Sequence, residues 1–263
     1  MKLPGVFKAK KKDGTAYFRA SFTYRSKHIS LGSFSDPETA HEAYLQAIAL
    51  TREALLTIDS YTHTSPLSFE KWVCILNFRD NGIYFSTPIY VRPRFFYYYL
   101  SPHERLIFDI DDLFFYSSHK IMRRKNHFFV ADYGMQITIT SRYGIKSYGV
   151  EGRDYRFRNG NNHDFRYENI EIFNTYHGVS KVTHRGKQRY KAQIHLKGNY
   201  TIGYYKTEAE AAIAYNKAVD ILKRNGCRKN FLQNETEGIL PSVYAKIYSE
   251  LKLSPRILNY RAE

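Results

Sequence analysis

An internal repeat is the feature that most constrains the fold of this chain. Residues 5–44 and residues 178–215 share four blocks of similar side chains in the same order, with slips of only one or two residues between blocks. Each copy has a Gly-Val dipeptide, two stretches of alternating polarity and an Ala-rich stretch. A repeat of this kind indicates one structural unit used more than once. The sequence therefore predicts two copies of one small module.

The second copy shows how such a module is built. From residue 190 to residue 197, apolar side chains alternate with polar or basic ones, which predicts a strand with one apolar face. A further strand is expected at residues 200–205. The capping box formed by Thr207 and Glu210 then begins an Ala-rich helix that ends near Asn225. The apolar stripe of that helix is expected to cover the apolar face of the sheet.

The first copy repeats this pattern. Residues 18–25 alternate in the same way, and the turn at residues 12–14 corresponds to the turn at residues 184–186. Its helix is expected to begin with a capping box formed by Ser35 and Glu38. Residues 51–66 are expected to extend that helix and then to form a linker.

Net charge points to the class of partner. The 263 residues carry a formal charge of +15, which favours a polyanion. Residues 1–35 contain eight Lys and Arg against one acidic residue, and residues 176–235 contain twelve against four. Residues 65–175 contain fifteen against twelve. The excess positive charge thus belongs to the two repeated modules.

Other sequence features limit the cellular context. Cys74 and Cys227 lie far apart, so they indicate neither a disulfide framework nor a zinc site and fit a reducing compartment. The N-terminus lacks the apolar region of a signal peptide, and no window of 18 uninterrupted apolar residues occurs. We therefore expect a cytoplasmic, nucleoid-associated protein, or one inside the host cell if a phage encodes it. Neither a membrane nor a small-molecule substrate is expected as a partner.

Both copies resemble the Apetala-two (ethylene-response-factor-like) DNA-binding domain, in which a helix packs behind a three-stranded antiparallel sheet. The matching features are the Gly-Val opening, the aliphatic-Gly-aromatic third strand at residues 31–34 and 202–205, and the Ala-Ala-x-Ala-Tyr helix at residues 211–215. The resemblance implies that the exposed face of the sheet enters the major groove. The plant members have Arg and Trp at most groove-facing positions and this chain has neither there, so their target sequences do not carry over.

The resemblance also implies which residues contact DNA. The groove-facing positions of the second copy are His177, Ser180, Gln193, His195, Asn199 and Thr201. Those of the first copy are Phe7, Ser21, Thr23, His28 and Ser30. Phosphate contacts are expected from Lys181, Arg185, Lys187, Arg189, Lys191 and Lys197, and from Lys8, Lys10, Lys12, Arg19 and Arg25 in the first copy. Because Gln can pair bidentately with adenine, we expect the second copy to select the sequence and the first to add affinity.

The region between the copies is expected to be rich in short strands. The pattern predicts strands at residues 72–78, 82–85 and 128–140. The basic and aromatic run at residues 94–99 favours the core of a β-sheet over a surface that stacks nucleic-acid bases. Beyond the second copy, residues 241–253 predict an amphipathic helix that docks on that module rather than forming a dimer.

The later part of this region resembles the HNH homing endonucleases, which often carry an Apetala-two module at the C-terminal end. Within residues 156–170, Asn159, Gly160, Asp164, Arg166 and Asn169 match the family signature. The resemblance implies a ββα fold.

Two departures from this signature affect the chemistry. The catalytic His of the family falls at Phe157 and its metal-binding Asp at Arg156. Phe cannot accept a proton, and Arg opposes a divalent ion. We therefore expect no catalytic residue, no metal site and no cofactor, with Arg156 and Arg158 contacting phosphates instead. If the chain were an active nuclease, His163 and Asn169 would act with a divalent metal such as Mg²⁺, although His163 is expected in a turn without a partner acid.

These observations combine into one hypothesis. The chain is expected to have an α+β fold with an N-terminal module at 1–62, an inactive HNH-like domain at 63–175, a DNA-binding module at 176–235 and a C-terminal helix and tail at 236–263. The expected function is sequence-specific binding of double-stranded DNA as a transcriptional regulator derived from an HNH homing endonuclease. An active homing or nicking endonuclease is one alternative, and an inhibitor or scaffold acting on a nucleoprotein complex is another. A protein partner or a homodimer is left open.

Overall fold

The chain has an α+β architecture. The computed structural model describes residues 3–261, and within them several small antiparallel sheets, most of them three-stranded, accompany a few helices. The predicted α+β class is confirmed. Among those residues, no helix combines the length and apolar character needed to cross a membrane.

The chain divides into two compact units. The first runs to Ile137 and also includes Asn161–Tyr167, whereas the second comprises Thr138–Gly160 and the residues from Glu168 onward. The division passes through the segment expected to form a central domain. The predicted domain boundaries remain predictions.

The first unit begins with one copy of the repeat. Its strands are β1 (Val6–Lys10), β2 (Ala16–Tyr24) and β3 (Lys27–Phe34), followed by helix α1 (Pro37–Arg52). The unit continues with α2 (Phe69–Asn81), β4 (Ile89–Val91), β5 (Phe95–Ser101), β6 (Glu104–Asp109), α3 (Leu113–Ser118), β7 (Met122–Arg124), β8 (His127–Asp132) and β9 (Met135–Thr138), which ends at the boundary. The sheet orders are β1-β2-β3, β4-β5-β6 and β7-β8-β9.

The second unit contains the other copy. Its elements are β10 (Tyr155–Phe157), β11 (Ile170–Ile172), β12 (Val179–His184), β13 (Lys187–His195), β14 (Asn199–Tyr205), α4 (Glu208–Arg224), α5 (Pro241–Glu250) and α6 (Pro255–Leu258). Strands β10 and β11 pair with each other, and β12-β13-β14 form the sheet of the module. Between β11 and β12 the described chain has no α-helix. The paired strands β10 and β11 therefore lack the helix that a ββα unit requires.

The two copies of the repeat share irregular details as well as regular ones. In each sheet the pairing of the second and third strands slips at one place, between Ala20 and Ser21 in the first copy and between Ala192 and Gln193 in the second. Such a slip is a β-bulge, which bends and twists the strand. Because the bulge occurs at the same aligned position in both copies, the repeat found in the sequence is a repeat of structure.

Small side chains bring each helix close to its sheet. In the first copy, Ala40, Ala43 and Ala47 are completely buried, and Ala211 and Ala214 are buried in the same way in the second. Alanine adds no side-chain bulk beyond its β-carbon, so the helix backbone can approach the strands closely. The Ala-rich pattern was correctly predicted to form the core of each module.

The start of α1 differs from the sequence prediction. The N-cap residue is Asp36, whose Oδ1 accepts a hydrogen bond from the Thr39 amide at 2.7 Å. Ser35 therefore does not form the expected capping box. A carboxylate at this position also interacts favourably with the positive end of the helix dipole. In the second copy, the capping box of Thr207 and Glu210 is confirmed.

The prediction of strands at residues 72–78 and 82–85 is wrong. Residues 69–81 form α2, which begins at the N-cap Ser68 and ends at Gly82 in the left-handed conformation. Every residue from Trp72 to Phe78 is buried, so this helix has no polar stripe in its middle. A short apolar run of this kind does not distinguish a buried strand from a buried helix. Residues 82–85 are a loop, and α1 ends at Arg52 rather than continuing into the linker.

Other predictions in this region agree with the structure. The aromatic run forms β5, where Phe96, Tyr98 and Tyr99 are buried, which confirms its assignment to a core. The strand expected at residues 128–140 is present as β8 and β9, separated by a turn.

The C-terminal helix α5 packs on α4, as expected. The hydroxyl of Tyr248 donates to Asp220 at 2.8 Å, and the Tyr244 hydroxyl lies 3.2 Å from Asn216 Nδ2.

Candidate nucleic-acid interface

Strand register determines which side chains of the second module face solvent. Ala192, Ile194 and Tyr205 are buried against α4, so the residues that alternate with them lie on the other side of the sheet. Lys191 pairs with Ser180 on one neighbouring strand and with Tyr204 on the other. Following the pairs along the sheet defines the outer face, which consists of Ser180, Val182, His184, Lys187, Arg189, Lys191, Gln193, His195, Asn199, Thr201 and Tyr204.

The outer face gathers most of the residues that the sequence singled out in this module. Eight of them are brought together there: Ser180, Lys187, Arg189, Lys191, Gln193, His195, Asn199 and Thr201. They come from three strands, and their grouping depends on the antiparallel register. Arg185 lies in the turn between β12 and β13, and Lys197 lies in the turn between β13 and β14.

Positive charge on the outer face is not neutralised by acidic neighbours. In the part of the chain that the structure describes, no carboxylate oxygen lies within 4.0 Å of the charged groups of Lys187, Arg189 or Lys191. Elsewhere in the same unit, by contrast, Arg153 pairs with Asp154 at 2.5 Å. The basic side chains of the outer face are therefore available to an external anion.

The tip of the module is a tight hairpin. Two residues, Arg185 and Gly186, connect β12 to β13, and both have positive φ angles, of 50° and 72°. This is the backbone of a type I′ turn, which matches the twist of paired strands. The turn predicted from the sequence is confirmed, and it keeps the tip narrow.

Polar groups that can recognise bases lie at the other end of the outer face. Gln193 is partly exposed, and within the described chain its side-chain amide has no hydrogen-bond partner. His195 is oriented by Asn199, because its Nδ1 lies 3.0 Å from the Asn199 Oδ1. The backbone carbonyl of His195 also accepts a hydrogen bond from Lys229 at 2.8 Å. One amide is thus free, and the imidazole is held in place by the neighbouring strand.

An aromatic pair on the outer face was not found by sequence reasoning. The rings of His184 and Tyr204 stack with centroids 3.9 Å apart and planes inclined by 12°. His184 belongs to β12 and Tyr204 to β14, so the pair spans the middle strand. Tyr204 is 41% exposed. The alternation of Tyr204 with buried Tyr205 was the available signal.

His177 does not belong to the outer face, contrary to the sequence prediction. Its ring is half-buried, with centroids 4.7 Å from Tyr148 and 5.3 Å from Tyr215. Burial, together with the nearby positive charge of Arg153, lowers the pKa of His177 below its usual value near 6.5, so the ring is neutral at pH 7. His177 therefore packs against Tyr148 and Tyr215 and does not lie on the outer face.

Lys181 also lies on a different face from the one expected. It pairs with Tyr190, whose ring packs against the core of the module, so Lys181 is on the α4 side of the sheet. The same register argument applies to its counterparts in the first copy. Lys8 pairs with Phe18 and Lys10 with Ala16, which places both on the α1 side.

The first module presents a smaller set of groups. Phe7, Arg19, Thr23, His28 and Ser30 are exposed on its outer face. Ser21 shares this face but is only 9% exposed, so it presents little surface for the predicted contact with bases. Lys12 is exposed in the turn between β1 and β2.

Two arginines of the first module already have local partners. Arg19 donates to the Tyr17 hydroxyl at 2.7 Å, which still leaves part of its guanidinium exposed. Arg25 lies 3.4 Å from the carbonyl oxygen of Phe78, in the last turn of α2, where a cation is favoured by the helix dipole. The expected phosphate contact of Arg25 therefore competes with a structural role.

Phe157 stands at the position where the resemblance to HNH endonucleases would place the catalytic base. Phe157 is buried at 6% exposure. Arg156 pairs with Glu171 at 2.8 Å, and Arg158 lies 3.8 Å from the same carboxylate. Their predicted phosphate contacts would therefore have to displace an existing ion pair. Asn169 accepts the Asn159 amide on its Oδ1 at 2.9 Å and supports the loop.

His163 has a partner acid, contrary to the sequence prediction. Its Nε2 lies 3.1 Å from Oε1 of Glu104, and the same carboxylate accepts hydrogen bonds from Arg123 at 2.6 and 2.8 Å. His163 belongs to the first compact unit and Asn169 to the second. Within the described residues there is no group of three or more His, Cys, Asp or Glu side chains arranged to hold a metal ion.

Comparisons with known proteins do not supply a family. No family model matches the chain. Neither the curated proteins nor the solved structures that were searched gave a match. Any functional conclusion therefore depends on the geometry of the structure itself.

Proposed function

We propose that this protein binds double-stranded DNA sequence-specifically through the outer face of its second module and acts as a transcriptional regulator. One observation carries the proposal: the outer face combines basic side chains that have no acidic partner with a free amide and an oriented imidazole. Nucleic-acid recognition requires both kinds of group, because cations neutralise phosphates and amides distinguish bases.

A β-sheet surface of this kind suits the major groove. That groove is roughly 12 Å wide and admits a β-ribbon. In this arrangement Lys187, Arg189 and Lys191 contact phosphates, while Gln193 donates and accepts hydrogen bonds on a base edge. Gln is well matched to adenine, which presents one donor and one acceptor in the groove.

The first module adds affinity in this proposal. Its outer face offers Arg19, Thr23 and His28 but no free amide comparable with Gln193. Two linked modules raise the overall affinity through effective concentration when the spacing of two DNA sites suits both. The first module therefore strengthens binding without adding much base preference.

Selection from a pool of random duplexes tests the proposal. The bound fraction is expected to converge on one sequence motif, and binding is expected to depend strongly on salt. Six to ten phosphate contacts imply a loss of roughly 10³ to 10⁵ in affinity between about 50 and 200 mM salt. A flat salt response would remove the groove-binding model, and tight binding to a protein with no affinity for duplex DNA would favour the scaffold alternative.

An endonuclease is the second candidate, and the contact between His163 and Glu104 is the observation that favours it. A carboxylate that hydrogen-bonds an imidazole holds the ring in one orientation, as a general base requires. Incubation with plasmid and Mg²⁺ or Mn²⁺ separates the two functions. We expect no cleavage, because buried Phe157 occupies the position of the family base. Cleavage that disappears in a His163→Ala variant would replace the regulator proposal with the nuclease.

A further inference from the structure

A small polar cavity in the first unit is distinct from the outer faces of both modules. Its volume is about 250 Å³, and its charged lining residues are Arg79, Arg92, Arg105, Asp59 and Asp80. Pockets that hold drug-sized ligands commonly measure roughly 300 to 1,000 Å³. The cavity therefore suits a small ligand or a single functional group.

The three arginines of the cavity are not equivalent. Arg79 is fully engaged: its Nη1 donates to the carbonyl oxygens of Leu50, Glu53 and Leu56 at 2.9 to 3.0 Å, and its Nε donates to Asp80 at 2.6 Å. It holds the end of α1 and neutralises the Asp80 carboxylate. Arg79 is therefore part of the structural wall of the cavity.

Arg92 and Arg105, by contrast, have no acidic partner within 4.0 Å in the described chain. Each is held by an aromatic face instead. The guanidinium carbon of Arg92 lies 4.9 Å from the centre of the Tyr90 ring, and that of Arg105 lies 4.2 Å from the centre of the Tyr97 ring. Stacking of this kind fixes a guanidinium while leaving its N–H donors at the edge free.

Hydroxyl groups complete the polar lining. Tyr90 donates to Asp80 at 2.7 Å, and the Tyr99 hydroxyl lies 3.5 Å from Arg105. Burial, and then the hydrogen bond to Asp80, raise the pKa of Tyr90 to about 12, so it remains protonated at neutral pH. Asp80 is satisfied by Arg79 and Tyr90. Exposed Asp59 is then the remaining acidic residue of the lining, beside two arginines that have no acidic partner within 4.0 Å.

We propose that this cavity binds a phosphate-type oxyanion between the guanidinium groups of Arg92 and Arg105. Planar guanidinium groups match the oxygen geometry of phosphate, and charge-assisted hydrogen bonds of this type are the stronger class in proteins. A phosphate group of this kind is supplied either by a free phosphorylated small molecule or by a nucleic-acid backbone. The proposal is independent of the DNA-binding surface of the second module.

Calorimetric titration of the full chain tests this site. The titrants are inorganic phosphate and a nucleoside monophosphate. We expect dissociation constants of about 1 mM. Arg92→Gln and Arg105→Gln are each expected to weaken binding by about tenfold. Arg94→Gln is the matched control, since this exposed residue lies two positions from Arg92 but does not line the cavity, and it is expected to leave binding unchanged.

Two further measurements make the result decisive. Arg105→Lys keeps the charge but removes the stacked planar guanidinium group, so an intermediate affinity for phosphate is expected. Unfolding temperatures that match that of the unmodified protein show that each variant is folded. Competition with a duplex oligonucleotide identifies the source of the phosphate: displacement by duplex indicates a backbone phosphate, and no displacement indicates a small ligand. Absence of phosphate binding at concentrations up to about fifty times the expected constant, or binding unchanged in both Gln variants, would overturn the proposal.

Discussion

The side-chain amide of Asn234 pairs with both backbone groups of His177. Asn234 Oδ1 accepts the His177 amide at 2.7 Å, and Asn234 Nδ2 donates to the His177 carbonyl at 3.0 Å. Asn234 is 7% exposed. Its own backbone pairs with the side chain of Asn216 on α4, at 2.7 and 2.8 Å. The turn that precedes β12 is thereby tied to α4 and to the segment that follows α4.

Removal of this amide is expected to destabilise the module. Asn234→Ala leaves two backbone groups of His177 without their partners in a buried place, at a cost of about 2–4 kcal/mol in the free energy of unfolding. Chemical denaturation measures this cost. Gln233→Ala is the control, because Gln233 is exposed and makes a single side-chain hydrogen bond. Equal effects of the two substitutions would contradict the role assigned to Asn234.

A steric constraint on Gly178 gives a second prediction. A β-carbon at this position would lie 2.5 Å from both the Tyr215 ring and the carbonyl oxygen of Gln193, and φ is +70°. Gly178→Ala is therefore expected to cost about 2–5 kcal/mol, from the left-handed backbone and from overpacking together.

The control for this substitution lies in the hairpin tip. Gly186 has a similar φ of +72°, but nothing lies within 4 Å of a β-carbon there. Gly186→Ala is expected to cost only about 1 kcal/mol. If thermal unfolding shows the two variants to be equally stable, the close approach of Tyr215 is not what requires glycine at residue 178.

Phosphate contacts by the outer face predict a change in salt dependence. Lys191→Ala is expected to weaken binding to all duplexes alike and to lower the slope of log affinity against log salt by about one. Fluorescence anisotropy at several salt concentrations measures this slope. Lys223→Ala is the control, because Lys223 is an exposed residue of α4 away from the outer face, and it should leave the slope unchanged.

Lys181 provides an internal check on the register of the sheet. It was expected to contact phosphate but lies on the α4 side. Lys181→Ala is therefore expected to behave like the Lys223 control. A loss as large as that of Lys191→Ala would mean that DNA contacts the opposite side of the sheet.

Base recognition by Gln193 is a separate prediction. Gln193→Ala is expected to cost about 1–3 kcal/mol on the selected sequence and to relax preference at one base pair, while the salt slope stays the same. Binding to a panel of single-base variants of the selected site measures the effect. Uniform weakening across that panel would assign Gln193 to affinity rather than to specificity.

The cap of α1 predicts a dependence on pH. Hydrogen bonds from Thr39 lower the pKa of Asp36 below its usual value of 3.8. A lowered pKa means that the carboxylate stabilises the folded state at pH values above 3.8, and that this contribution is lost as the pH falls through the folded-state pKa. Asp36→Ala is expected to lower the unfolding temperature at neutral pH, with a difference that shrinks below about pH 4. Ser35→Ala should have little effect on the unfolding temperature. A larger effect of Ser35→Ala than of Asp36→Ala would support the capping box predicted from the sequence.

Local patterns in the sequence determined much of this protein. Alternation of polarity located the strands of both modules, the Thr207 capping box located the start of α4, and aligned blocks revealed the repeat. These features depend on residues a few positions apart, so their physical causes are present in any short stretch of the chain. Most of the outer face follows from the same alternation, because antiparallel register then places neighbouring strands in phase.

Contacts between distant residues decided the rest. His177 lies inside the module because Asn234, 57 residues away, holds its backbone, and Arg25 is drawn to a carbonyl 53 residues away. The helix at residues 69–81 was not recognised in the sequence because tertiary packing buries every residue from Trp72 to Phe78 and so removes the polar stripe that marks a surface helix. Local sequence does not encode which distant groups will surround a side chain. Only the tertiary structure therefore shows which of the polar and basic residues lie on the outer face and which lie elsewhere.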